Sequence, residues 1–204
     1  MKFFNSIGPN PRIVKMFMAE KGVKMDEVTV DLRSGENRQA AYLAVNPSGQ
    51  TPALQMDSGE ILAEITVICE YLEELNPATP LIGTTPDERA ETRMWTRRAD
   101  IKVCEPLANG FRYGEGLAMF KDRMRCLPEA SPGLKLVAQD GIQWFEDHFK
   151  GPWIAGDRFT LADILLFGFL DFGGSVGQPL DPKFTKINDW FARVKARPSA
   201  VATA

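Results

Sequence analysis

Two short stretches hold residue types specific enough to start from: Asn46-Pro47-Ser48-Gly49-Gln50-Thr51-Pro52-Ala53-Leu54 and, a little further on, Ala63-Glu64-Ile65. Proline has no N–H and cannot donate to a sheet ladder, so Pro52 must sit at a strand start, an edge or a bend. With a cis Thr51–Pro52 bond, the amide and carbonyl of Thr51 would turn outward to pair with an extended, peptide-like ligand. Glu64 and Ile65 then open a helix, and the free N–H groups of a helix start favour a carboxylate. A strand-like clamp beside an anion-binding helix end suits a small acidic peptide. Taken singly, Pro52 is an ordinary turn proline and Glu64 a first-turn acid answering the helix dipole. Order and spacing carry the functional reading.

The elements that must position these residues can be read from periodicity and punctuation. Lys2 to Asn5 reads as a short strand and Ser6 to Pro11 as a turn-rich loop. A helix with Asn10 as its N-cap and Pro11 in its first turn then runs to Lys21, where Gly22 stops it. Val28 and Val30 alternate with polar neighbours in a second strand, Glu27 to Asp31. So long a connection between strands implies parallel pairing through a right-handed crossover. Glu36 to Val45 reads as a modest helix, Ala53 to Met56 and Glu60 to Leu62 as a hairpin, and Ile65 to Leu75 as an amphipathic helix. The order β-α-β-α-β-β-α is that of a thioredoxin-like α/β domain over residues 1–76. Residues 77–86 hold three prolines and a glycine and read as a linker, followed by an all-α domain over 87–204. Its helices are expected at Asp87 to about Gly110, at Pro132 to Lys150, after Thr160, and at about Pro182 to Arg197. Thr160 with Asp163 three residues on approximates a capping box.

Composition narrows the function classes. The 204 residues are 44% hydrophobic and 25% charged, ordinary for a globular protein. A net charge of −3 without a basic block argues against a nucleic-acid surface or a polybasic membrane anchor. Neither a signal peptide nor a membrane span is expected from the short apolar runs. Three scattered cysteines, Cys69, Cys104 and Cys126, read as reduced core thiols in a cytoplasmic compartment. The single histidine, His148, lies near a helix end, where capping of carbonyls is its expected role. It leaves neither a zinc site nor a catalytic triad to assemble, so no metal is expected. Asp157 and Asp163 read as folding elements.

The N-P-S-G-Q-T-P-A-L…D-S-G-E-I-L-A-E-I pattern resembles the glutathione-binding half of cytosolic glutathione transferases. Trp153-Ile154-Ala155-Gly156-Asp157-Arg158-Phe159-Thr160-Leu161-Ala162-Asp163-Ile164 resembles the loop and cap that begin the buried helix of that family's C-terminal domain. The resemblance implies glutathione as co-substrate, a small hydrophobic electrophile as second substrate, a role in detoxification and a homodimer. It places Thr51, beside Pro52, on the cysteinyl backbone and Gln50 on the glycine end, with Glu64 and the Ile65 N–H on the γ-glutamyl carboxylate. Arg38, or Asn37 beside it, would neutralise the glycine carboxylate. Asp100 would reach across the dimer to the glutathione amine, although Arg97 and Arg98 offer it intrahelical partners.

Catalysis requires the glutathione thiol to ionise. Its pKa of about 8.5 must fall by about two units, roughly 2.7 kcal/mol. Most of the family place a Tyr, Ser or Cys in the loop before the first helix. Here Gly8 or Pro9 takes that place, and Ser6 comes too early. The Gly8-Pro9-Asn10-Pro11-Arg12 pattern resembles the yeast-type group, which implies activation by the helix dipole and water with help from the C-terminal domain. Phe111-Arg112-Tyr113-Gly114 matches the helper stretch, offering Arg112 and Tyr113. Asn10 is the other candidate, preferred over Ser6, since some bacterial transferases use an Asn amide in this loop. The electrophile is expected in the cleft between domains, lined by Ile7, Arg112, Tyr113 and Phe120. Two alternatives stay open: a glutathione-dependent peroxidase or disulfide reductase, and a non-catalytic binding module of the same fold.

Overall fold

A computed structural model describes residues 1–204. The chain divides into two compact units, Met1–Pro80 with Pro198–Ala204, and Leu81–Arg197.

In the first unit a four-stranded sheet has the order β2-β1-β3-β4. Strand β1 (Lys2–Asn5) pairs in parallel with β2 (Asp26–Thr29) and antiparallel with β3 (Ala53–Gln55), which pairs antiparallel with β4 (Ile61–Leu62). This is the α/β thioredoxin-like arrangement expected from the element order. Strand β2 starts and ends slightly earlier than its valines suggested. Between β1 and β2, helix α1 (Pro9–Lys21) buries Ile13, Val14, Met16, Phe17 and Met18, and Gly22 ends it in the left-handed conformation. Its N-cap is Gly8, and Asn10 lies inside the first turn, which corrects the expectation of an Asn10 cap.

The expected helix over 36–45 is instead a 3₁₀ turn (Glu36–Arg38) and a short α2 (Ala40–Leu43), broken where Gln39 is extended. Helix α3 (Ile65–Leu75) packs Ile68, Cys69 and Leu72 inward. Lys21 Nζ lies 2.5 Å from Glu73 Oε2 and 2.7 Å from the Thr79 carbonyl, so a buried ion pair ties α1 to α3 and to the exiting chain. Removing one partner of such a pair strands a charge. A helix the sequence did not announce, α10 (Pro198–Ala202), closes this unit. Arg12 Nη2 donates to the Ala200 carbonyl at 3.5 Å, and the Ser199 hydroxyl donates to the Glu20 carboxylate.

The second unit is helical. Helix α4 (Pro86–Ala99) passes through a π-turn (Asp100–Cys104) into α5 (Glu105–Tyr113), where one uninterrupted helix was expected. Pro106 explains the π-turn: it has no N–H for the Lys102 carbonyl, and its ring would collide with it in a regular α-helix. A Cβ at Gly141 would stand 2.1 Å from that carbonyl, so glycine is required where α7 (Ser131–His148) crosses the π-turn. A short α6 (Leu117–Phe120) precedes α7. Helix α8 (Leu161–Ser175) is buried throughout residues 161–170, and α9 (Thr185–Lys195) packs Ile187, Trp190 and Val194 inward.

The Asp163 carboxylate organises the start of α8. Oδ2 accepts from the Thr160 N–H and hydroxyl at 2.9 and 3.1 Å. Oδ1 accepts from the Ile154 N–H at 2.8 Å and from Trp190 Nε1 at 2.9 Å. No helix is long and apolar enough to cross a membrane. Cys69 and Cys104 are core thiols whose pKa burial pushes well up, whereas Cys126 is half-exposed, a departure from the expectation that all three are core residues. His148 stacks on Trp144 at 4.3 Å with Nδ1 2.7 Å from the Trp144 carbonyl, the expected helix-end role.

Candidate functional site

Sheet register brings the first set of candidates to one edge of the first unit. The β1–β3 ladder pairs Phe4 with Ala53, so one step further sets Asn5 beside Pro52. The β3–β4 ladder pairs Leu54 with Leu62, and its continuation sets Pro52 beside Glu64. The loop into α1, the turn before β3 and the start of α3 therefore share one end of the sheet.

At the turn, the Thr51–Pro52 bond is cis. The preceding residues are pinned from behind. Asn37 Nδ2 donates to the Gly49 carbonyl at 2.5 Å, while the Tyr42 hydroxyl and Asn46 Nδ2 donate to the Gln50 carbonyl at 2.7 and 2.9 Å. Burial pushes the Tyr42 hydroxyl up to about 12, against the pull of Asn46, so it remains a neutral donor. Gly49 sits at φ +63°, and a Cβ there would stand 3.0 Å from Arg38 Nη1 and 3.1 Å from the Asn37 carbonyl. With Gly49 and Gln50 thus spoken for, Thr51 is buried and neither its N–H nor its carbonyl has a partner within the chain. The Gln50 side chain is exposed beside it.

Both helices that begin at this edge start without a side-chain cap and without an acid in the first turn. In α1, Pro9 and Pro11 carry no N–H, which leaves Asn10 as the main-chain donor among residues 9–11. The Asn10 side chain is half-buried, and its Oδ1 is buried without a hydrogen-bond partner. Ser6 is occupied elsewhere: its hydroxyl donates to the Val30 carbonyl at 2.6 Å. Ile7 is 55% exposed. In α3, Glu64 occupies the N-cap position with φ +69° and an exposed side chain, a conformation costly for a residue with a Cβ. The Ile68 N–H already reaches the Glu64 carbonyl, so the N–H groups of Ile65, Thr66 and Val67 are the open ones.

The remaining candidates fall differently. Arg38 is exposed at the end of the 3₁₀ turn, next to the Gly49–Gln50 segment. Asn37, the alternative to Arg38, is 4% exposed and committed to the Gly49 carbonyl, which removes it as a ligand contact. Asp100, Arg112 and Tyr113 belong to the second unit. Asp100 opens the π-turn and accepts from Arg97 Nη1 at 2.6 Å, while Arg98 lies over the Trp95 and Trp144 rings. Arg112 Nη1 donates to Asn109 Oδ1 at 2.9 Å, and its guanidinium lies 5.9 Å from the Phe120 ring centre. Tyr113 is half-buried in the last position of α5. The pinning residues Asn37, Tyr42 and Asn46 were not singled out as supports. The signal for one of them was present: Asn46 with Ser48 two residues on is a side-chain turn, with Ser48 Oγ 2.9 Å from Asn46 Oδ1.

The arrangement offers an open strand-like segment and two uncapped helix starts on one sheet edge. Comparison with known proteins identifies the family. Residues 7–75 match the glutathione S-transferase N-terminal domain and residues 129–198 the C-terminal domain. A maleylacetoacetate isomerase of Pseudomonas aeruginosa is 45% identical, with 86% of this chain and 83% of that protein covered. Glutathione S-transferase 2 of Saccharomyces cerevisiae is 29% identical, over 94% of this chain and 84% of that protein. The crystal structure of Gtt2 from Saccharomyces cerevisiae superposes with a TM-score of 0.90 at 29% identity, covering 100% of both chains. Matched domains in the expected order, together with that level of identity across most of the chain, show that this protein belongs to the glutathione S-transferase family.

Proposed function

We propose that this protein is a glutathione transferase of the yeast-type group, joining the glutathione thiolate to a small hydrophobic electrophile. The reading rests on one observation: Thr51, with an unpaired N–H and carbonyl, lies on the same sheet edge as two helix starts that the chain leaves uncapped. In this proposal Thr51, beside Pro52, pairs with the cysteinyl backbone of glutathione. The α3 start at Glu64 and Ile65 takes the γ-glutamyl carboxylate, and Gln50 and Arg38 take the glycine end. The thiol then lies by the start of α1, where the Asn10 N–H, its amide and the helix dipole favour the thiolate. The thiol proton leaves to solvent. Sulfur forms a bond to the electrophilic carbon while the leaving group departs with its electron pair.

The loss of the Asn10 cap strengthens its candidacy. Inside a helix asparagine is a poor helix former, and its buried Oδ1 gains nothing from the fold. Arg112 and Tyr113 are proposed to act on the electrophile. The working form is proposed to be a cytoplasmic homodimer, with Asp100 serving the partner's glutathione; exposed Leu75, Met94 and Ile101 supply apolar surface for pairing. Identity with a named maleylacetoacetate isomerase favours a second reading, in which the thiolate adds to a double bond, the bond rotates and the thiolate is expelled.

Ultraviolet thiolate absorbance of glutathione, titrated against protein across pH, tests the proposal. Binding with a lowered thiol pKa supports it, and absence of binding overturns it in favour of a non-catalytic module. Parallel assays with an aryl halide, an unsaturated acid, a hydroperoxide and a mixed disulfide separate transferase, isomerase, peroxidase and reductase activities.

A further inference from the structure

Where the end of α7 meets α9, the second unit has a recess of about 260 Å³. Phe149, Lys150 and Gly151 border it on the loop side, and Lys186, Asp189 and Arg193 on α9. Phe149 is its one apolar side chain, and three cations against one acid give the lining a net +2. The whole chain carries −3, so the attraction for an anion is local. None of the residues proposed to hold glutathione or to act on it lies here.

What the cations touch selects the occupant. Asp189 stands three residues after Lys186 and four before Arg193, the spacings at which a helix forms ion pairs. Neither cation takes it. Lys186 Nζ donates instead to the Glu146 carbonyl at 3.1 Å, and Arg193 Nη2 to the Pro152 carbonyl at 3.1 Å. Neutral carbonyls thus hold both cations against the 146–152 segment without cancelling their charge. Elsewhere in this unit Lys135, Arg158, Lys183 and Lys195 lie within ion-pairing distance of a carboxylate. The Lys150 ammonium has no partner in the chain, nor do the main-chain N–H groups of Lys150 and Gly151. The neighbouring acids are committed: Glu146 accepts from the Lys186 and Ile187 N–H groups at 3.1 and 3.0 Å, and Asp147 from Gln143 at 2.9 Å. Glycine is required at 151, where a Cβ would stand 2.5 Å from the Gly156 carbonyl, so the loop is pressed tightly onto its own return.

We propose that this recess binds a small divalent oxyanion, inorganic phosphate or a phosphate monoester, independently of glutathione. The net +2 of the lining matches the dianion, whereas a carboxylate would answer half of it. The Arg193 guanidinium has further N–H donors beyond the one on Pro152, and with the Lys150 ammonium and the two free main-chain N–H groups it can serve several phosphate oxygens at once. A largely apolar ligand would meet one ring and four charges.

Phosphate and glycerol 1-phosphate are the probes, titrated by calorimetry into the full chain without glutathione and at fixed ionic strength, so the result stands apart from the transferase reading. One saturable site per chain is expected, with acetate at least about tenfold weaker. Arg193→Gln should weaken phosphate about tenfold. Lys150→Ala, which breaks no bond within the chain, should weaken it about threefold, and Asp189→Asn should tighten it about twofold to threefold. Those two variants keep the test alive if Arg193→Gln fails to fold. In NMR spectra the Lys150 and Gly151 amide resonances should move most at saturation, which a diffuse cloud of counterions would not produce. Tighter binding of the ester identifies an organic monoester as the ligand, and equal or weaker binding identifies the free ion; both support the proposal. Equal affinity in wild type and all three variants, equal affinity for acetate, displacement by glutathione, or unmoved Lys150 and Gly151 amides would each overturn it.

Discussion

The starts of α4 and α8 in the helical unit are built in the opposite way to those of α1 and α3 in the sheet unit. In the helical unit α4 opens with Thr85 and Glu88, and Glu88 Oε2 accepts from the Thr84 N–H at 2.7 Å while the Glu88 N–H donates to Thr85 Oγ1 at 3.2 Å. Asp163 does the same for α8 and adds Trp190 to its partners. In the sheet unit α1 and α3 have neither an acid nor a side-chain cap in their first turns. A cap contributes about 0.5–2 kcal/mol, so two open ends are stability the fold forgoes. A helix start closed by the chain's own carboxylate is structural. One left open at a sheet edge is where we propose that a ligand carboxylate binds.

The largest effect is expected on the closed side. Asp163→Ala strands four buried donors, from Ile154, Thr160 twice and Trp190, and should lose about 4 kcal/mol or more in urea unfolding. An unchanged unfolding midpoint would break the assignment of this carboxylate to structure. Burial pushes the Asp163 carboxyl from 3.8 up to about 6, against the pull of its donors. The folded state then holds the proton more tightly than the unfolded state. Stability from this group should therefore rise as pH falls from about 6 to about 4, by at most about 3 kcal/mol, and lie flat above that window. The difference between wild type and Asp163→Asn, measured across those pH values, reads the sign directly.

On the open side, Asn10→Ala should raise the pKa of bound glutathione by about one unit and slow conjugation at neutral pH about tenfold, with binding kept. An unchanged thiolate titration would move activation to the α1 end itself or to Arg112 and Tyr113. Val67→Glu sharpens the comparison. Val67 is exposed at the third position of α3, where α4 has Glu88 and α8 has Asp163. A carboxylate there should stabilise the helix by about 0.5 kcal/mol and weaken glutathione about fivefold by repulsion. Calorimetry showing unaltered affinity would mean that the γ-glutamyl carboxylate binds elsewhere.

The sequence disclosed most of this where residue type and spacing were local. Pro52, Gly49 and Gly22 marked their turns, and Thr160 with Asp163 marked a helix start without reference to anything distant. Long-range effects were hidden. Asn10 next to Pro11 has the residue types of a cap, yet Pro9 already satisfies the first helical position, so the helix starts earlier and Gly8 takes the cap. The π-turn follows from Pro106, and only the distant Gly141 leaves room for it where α7 crosses. Trp190, 27 residues from Asp163, completes a buried cluster that no local pattern announces. The α10 segment, read as the tail of the helical domain, returns to α1 through Arg12 and Glu20.

The smallest effect separates strain from binding at α3. Glu64 holds φ +69°, where a Cβ costs about 1–3 kcal/mol and glycine costs little. Glycine also loses about 0.5–1 kcal/mol through the greater freedom of the unfolded chain. With the strain at the low end of that range the two nearly offset, so Glu64→Gly should change stability by no more than about 1 kcal/mol, toward greater stability. If the strained residue serves only the turn from β4 into α3, glutathione affinity will be indifferent to the change. If the backbone is held there to aim the Ile65 N–H at a carboxylate, the freer glycine should weaken glutathione about threefold while thermal stability holds or rises. A gain in stability with a loss in affinity is the signature of a helix start shaped for a ligand.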